Sequence, residues 1–148
     1  MSERTPEPSL KDILAKTVED IAASAYRRIS VARDIPMTEV YRSGVCEDIS
    51  EIVANKLYAI YGGDVQLMRY ERQGIGTHQF IRVVIGSEQW IIDPTWQQFL
   101  PEADTRKPRI LCVPAADLSQ TLSGYGIAAE VRSLWTEAHV VPTPGHDL

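Results

Sequence analysis

The run His78-Gln79-Phe80-Ile81-Arg82-Val83-Val84-Ile85-Gly86-Ser87-Glu88-Gln89-Trp90-Ile91-Ile92-Asp93-Pro94-Thr95-Trp96 decides how this chain folds. Two β-rich segments, His78 to Ile85 and Glu88 to Asp93, flank Gly86-Ser87, the composition of a two-residue hairpin turn with glycine first. Such a turn makes Ile85 face Glu88, and the rest of the register follows: Val84 faces Gln89, Phe80 faces Asp93 and His78 faces Thr95. Side chains alternate between the two faces of a strand, so His78, Phe80 and Arg82 share a face with Ile91 and Asp93. His78 and Asp93 become diagonal neighbours about 7–8 Å apart at the backbone, a gap that an imidazole and a carboxylate bridge. A turn of odd length would put them on opposite faces.

Upstream, Ser43-Gly44-Val45-Cys46-Glu47-Asp48-Ile49 opens a helix. Ile49, Ile52, Val53, Leu57 and Ile60 recur at steps of three and four, which is one helical face, and Gly62-Gly63 ends it. Cys46 therefore stands at a helix N-terminus, where unpaired N–H groups favour the thiolate over a thiol of ordinary pKa near about 8.5. Glu47 and Asp48 act in the opposite sense, since nearby negative charge raises a thiol pKa. A cysteine, a histidine and an aspartate in this order are the parts that thiol acyl chemistry needs: Cys46 as nucleophile, His78 as base and Asp93 as the group that orients the base. The plainer reading of each alone is a small core thiol, a structural histidine and a turn aspartate.

These residues resemble a family. Gly-x-Cys opening a helix, a histidine on a strand, then Trp90-Ile91-Ile92-Asp93-Pro94-Thr95-Trp96 after a hairpin is similar to the transglutaminase-like branch of the papain-like cysteine superfamily. The resemblance spans about Tyr41 to Phe99, and the Asp-Pro-Thr-Trp box is its most specific part. Gln79 and Phe80 follow the histidine where the family often has a small residue and tryptophan. The resemblance implies an α+β fold with a papain-like or transglutaminase-like core, in which a helix carrying Cys46 packs on a small antiparallel sheet carrying His78 and Asp93. It implies a cysteine-dependent amide hydrolase or acyltransferase working through a thioester. Members of the superfamily include transglutaminases, peptidases, protein glutamine deamidases delivered by bacteria into host cells, and non-catalytic forms. The expected substrate is a protein or peptide presenting an amide, a glutamine side chain first and a peptide bond second. A partner-binding member without catalysis is the alternative of a different class. The N–H of Cys46 is one expected oxyanion donor. Tyr41 and Trp96 are nominated for further oxyanion or substrate contacts, a rim aromatic being the plainer reading of Tyr41.

The 148 residues fit one domain, at 44% hydrophobic and 24% charged. A net charge of −5 offers no basic field for phosphate backbones, so no nucleic-acid partner is expected. No apolar run approaches the roughly 20 residues of a membrane span and no secretory signal is visible. A cytoplasmic location, or delivery by a specialised secretion system without a cleavable signal, is the expectation. There is no cofactor signature, and His139 and His146 lack the partners of a metal site.

The remaining chain reads in order. Residues 1–8 are expected to be disordered, and Ser9 with Asp12 forms a capping box opening a helix whose stripe is Leu10, Ile13, Leu14, Val18, Ile21, Ala22 and Ala25. Ile35-Pro36 breaks the helix. Val65 to Tyr70 alternates as a strand, followed by a polar loop from Glu71 to Thr77. Gln97 and Gln98 are read as solvated, and Ile110 to Val113 as a buried strand ended by Pro114, with Cys112 an inert core thiol. Ala115 to Leu122 is a short helix and Ile127 to Ala138 a final one with the stripe Ile127, Val131, Leu134 and Trp135. The expected domain is 9–139, with 140–148 a loose tail.

Overall fold

A computed structural model describes residues 10–36, 46–72, 76–100, 107–108 and 110–141; of Leu10, Lys11, Cys46, Glu47, Asp48, Gly63, Arg72 and Gly76 it describes the backbone alone. The fold is α+β. Helix α1 (Leu10–Arg33) and helix α2 (Cys46–Tyr61) precede strands β1 (Val65–Arg72), β2 (Gly76–Ile85), β3 (Glu88–Asp93) and β4 (Leu111–Pro114). Helices α3 (Leu118–Gly124) and α4 (Ala129–Thr136) and strand β5 (His139–Val141) follow. The sheet runs β4-β3-β2-β1-β5 with every neighbouring pair antiparallel.

The hairpin sets the frame. Ile85 pairs with Glu88, Val84 with Gln89, Val83 with Trp90, Arg82 with Ile91 and Ile81 with Ile92, the register that a two-residue turn dictates. Gly86 has φ +65° while Ser87 does not adopt a positive φ, the pattern of a turn that needs glycine at its first central position only.

Because β3 and β2 are covered on both faces, alternate side chains feed two separate cores. Val65, Leu67, Ile81, Val83, Trp90 and Ile92 meet α1 and α2 on one face. Met68, Tyr70, Phe80, Ile91, Leu111 and Val113 meet α3, α4 and the 3₁₀ turn Trp96–Phe99 on the other. Burial of each large aliphatic side chain contributes about 1.5–3 kcal/mol, so the alternation of β-branched residues specifies the sheet's two-sided packing.

Helix α1 buries Leu14, Val18, Ala22, Ala25, Tyr26 and Ile29, whereas Ile13 is 48% exposed. The expected stripe is therefore corrected at Ile13 and extended by about one turn, from Ala25 to Ile29. The helix is longer than its purely aliphatic stretch, and an aromatic continues the buried face. Its end is a left-handed residue, Asp34 at φ +52°, with Asp34 N–H bonding Val31 O and Ile35 N–H bonding Ser30 O, a Schellman closure just before Pro36. Ser9 of the expected capping box lies outside the described residues.

Three further expectations are corrected. Glu71 and Arg72 belong to β1, and Gly76 and Thr77 to β2, rather than to a loop. Val140 and Val141 are not loose tail but strand β5, pairing with Met68 and Leu67 on the open edge of β1. Backbone hydrogen bonding alone builds so short an element, and three residues give no readable period. Cys112 is half-buried at the first core, and it lines a cavity of about 240 Å³ with Ala15, Glu19, Ile110 and Tyr125. Among the described residues no helix is long and apolar enough to cross a membrane.

Candidate active site

The hairpin parity brings His78 and Asp93 together. His78 Nε2 lies 2.6 Å from Asp93 Oδ2, with His78 only 1% and Asp93 0% exposed. An acceptor oxygen on this side fixes the tautomer with the proton on Nε2, which gives Nδ1 the lone pair that can take a proton. The triad geometry asks for that arrangement at a base.

Asp93 is held from several directions. Oδ2 also accepts from the indole Nε1 of Trp135 at 2.6 Å. Oδ1 accepts from the backbone N–H of Thr95 at 3.0 Å and from its hydroxyl at 3.3 Å, an Asx-type turn across Pro94. The phenol of Tyr26, on α1, donates to the Pro94 carbonyl from the opposite side of the sheet. The Asp93-Pro94-Thr95 turn is thus gripped by α1 from one core and by α4 from the other.

The imidazole sits among aromatic rings. Phe99 meets it edge-on at 4.8 Å between centroids and Trp135 at 5.7 Å, while Phe80 lies parallel at 6.1 Å. These rings keep water from the His78–Asp93 contact, and in a poorly solvated setting a hydrogen bond orients its partners more firmly.

Helix α2 brings its N-terminus to the same end of the sheet. Its last residue, Tyr61, is joined to β1 by the 3₁₀ turn Gly62–Asp64, and Val65 pairs with Val83, so the C-terminal end of α2 lies near Val83. Sixteen residues of helix span about 24 Å. Seven strand residues back from Val83 to Gly76 span about 23 Å, which brings the start of α2 level with the start of β2. Ser50, one turn into the helix, confirms this by donating to Gln79 O at 3.0 Å. The backbone of Cys46 therefore opens α2 level with the strand end that carries His78, while the body of α2 packs on the face of the sheet opposite the one from which His78 projects.

Tyr41 lies outside the described residues. Trp96 is completely buried, donates its indole N–H to Pro108 O at 3.0 Å and packs on Tyr125, which corrects its expected place at a substrate surface. Gln97 is buried and bonded to Pro108 O at 2.9 Å, and Gln98 bonds Thr95 O at 3.0 Å, so neither is solvated as expected. A 3₁₀ turn folds both side chains back onto carbonyls that have no ladder partner. Trp135, Phe99, Tyr26 and Ser50 are the site residues that the sequence reading missed. One signal pointed to Trp135: a buried indole N–H requires an acceptor and a buried carboxylate requires donors.

Among the described residues no group of three or more histidine, cysteine or carboxylate side chains is placed to hold a metal ion. Comparison with protein families, with curated proteins and with solved structures found no match for this chain.

Proposed function

We propose that the protein is a cysteine-dependent amide hydrolase or acyltransferase with a transglutaminase-like, papain-type core, in which Cys46 is the nucleophile, His78 the base and Asp93 its orienting carboxylate. The observation that carries the reading is the buried 2.6 Å contact of His78 Nε2 with Asp93 at the sheet end reached by the N-terminus of α2.

The reaction follows from these parts. His78 Nδ1 takes the Cys46 thiol proton as sulfur attacks the carbonyl carbon of an amide. The tetrahedral oxyanion collapses, the carbon–nitrogen bond breaks, and the imidazolium returns its proton to the leaving ammonia or amine. The thioester is then attacked by water, or by an acceptor amine, with His78 again taking the proton. Water gives a carboxylic acid and an amine gives a new amide, and both regenerate the thiol. The favoured substrate is a glutamine side chain in a protein, with peptide-bond cleavage the second choice.

The test is the pH dependence of iodoacetamide alkylation at Cys46 and Cys112, resolved by mass spectrometry, in the wild type and in His78→Ala. Cys46 should react with an apparent pKa well below about 8.5 and lose that advantage without His78. Reaction of Cys46 no faster than Cys112 or a free thiol, in both proteins, would refute the enzymatic reading and leave a partner-binding member of the fold.

A further inference from the structure

Strand β4 ends one side of the sheet, and beyond it lies the cavity of about 240 Å³ that Cys112 lines. Leu111 and Val113 line it too, although they project to one core and Cys112 to the other. A space touched by three successive strand residues reaches round the outer edge of the strand. Helix α1 walls it from one face through Ala15 and Glu19, and Tyr125, at the end of α3, walls it from the other. Neither His78 nor Asp93 lines it.

Aliphatic side chains and a tyrosine ring make up most of this wall, and Glu19 is the carboxylate among its described residues. Glu19 is exposed, so it stands at the mouth. Its neighbour Asp20 is taken by Lys16 at 3.4 Å, whereas Glu19 makes no ion pair among the described residues. A concave, mostly apolar space with a placed polar group is the usual form of a small-molecule site. An apolar cavity of about 150 Å³ admits benzene, so this one has room for a single ring with a short arm. The carboxylate selects a cation at the mouth, and a tyrosine ring attracts a cation as readily as it packs on another ring. We propose that the cavity binds an arylalkylamine, its ring among Ala15, Val113 and Tyr125 and its ammonium group at Glu19. The binding is non-covalent. A neutral analogue leaves Glu19 without its cation, and a carboxylic acid meets like charge there. The site is independent of the triad proposed above.

The experiment uses the whole chain and reads iodoacetamide alkylation of Cys112, which a ligand in the cavity shields, with Cys46 followed in the same samples by mass spectrometry. A ligand of one ring and a short arm binds such a site with a Kd on the order of 1 mM, so about 10 mM phenethylamine should slow Cys112 about tenfold. Phenethyl alcohol, of the same shape without the charge, should protect at least about twofold less. Glu19→Gln changes an exposed side chain and should weaken phenethylamine about two- to fivefold while leaving phenethyl alcohol unchanged. Ala15→Leu, which fills the cavity, should abolish the ligand-detected NMR signal of both compounds. No protection of Cys112 by about 10 mM phenethylamine overturns the site. Equal slowing of Cys46 also overturns it, because the effect is then consumption of the reagent. Equal protection by amine and alcohol, in wild type and in Glu19→Gln alike, overturns the assignment of a cationic ligand to Glu19.

Discussion

Replacing Asp93 by asparagine should be among the most damaging conservative changes in the chain, and the bonds around it say by how much. Two carboxylate oxygens receive the Nε2 of His78, the indole N–H of Trp135, and the N–H and hydroxyl of Thr95. Asparagine has the same shape but one oxygen and one NH₂. Turned so that NH₂ meets Thr95, it sets donor against the backbone N–H; turned the other way, it sets donor against the indole. His78 can change tautomer and the Thr95 hydroxyl can rotate, but an indole and a backbone amide have no such option. Each orientation thus strands one obligate donor in a fully buried place, at about 1–3 kcal/mol, and also loses the stronger bonding of a carboxylate. Together with disruption of the His78 contact the expected loss is about 3–5 kcal/mol. At about 3 °C per kcal/mol for a chain of this length, the melting temperature should fall by roughly 9–15 °C. Thermal unfolding followed by circular dichroism, with urea unfolding as a second measure, checks this. A fall of less than about 2 °C would mean that the bonds at Asp93 are not the constraint described, and the reasoning would be wrong.

The other predictions grade the same neighbourhood. Trp135→Phe removes one donor to Asp93 and part of the ring contact with His78, so it should lower stability by about 2–3 kcal/mol, less than Asp93→Asn, measured by urea unfolding, and also reduce Cys46 alkylation. Tyr26→Phe strands the buried Pro94 carbonyl and should lower the melting temperature by about 3–9 °C in calorimetry. Gly86→Ala meets no neighbouring atom within 4 Å but forces alanine to φ +65°, a strain of about 1–2 kcal/mol. Its melting temperature should drop by about 3–6 °C while Cys46 alkylation is unaffected, because the register of the hairpin is kept.

What could be read from the sequence tracks how local its cause is. The His78–Asp93 pairing was legible because Gly86-Ser87 leaves the register no freedom, and parity then does the rest. The start and end of α2 were legible from its apolar period and its glycine stop. The face of α1 was legible only to Ala25, since Tyr26 and Ile29 continue it in a stretch where arginines break the pattern. Trp135 could be assigned to the core but not to Asp93, because a hydrophobic stripe reports that a ring is buried and not what its N–H touches 42 residues away. Gln97 and Gln98 read as surface because composition cannot see a 3₁₀ turn folding amides onto carbonyls. Strand β5 exists through pairing with an edge that no three-residue segment announces.

The grip on the Asp93-Pro94-Thr95 turn has a consequence for timing. Tyr26 is made early in synthesis, His78 and Asp93 in the middle, and Trp135 after them, and the turn is complete only when all four are in place. A nascent chain that has emerged only as far as β4 has its cysteine, histidine and aspartate but lacks one of the donors that fix the carboxylate. Completion of the His78–Asp93 site is in this way tied to docking of α4, the last of these elements to be made. Release of the helix and loss of the His78 orientation are then a single cooperative event, which exchange of the Thr95 amide would report as one of the slowest in the protein.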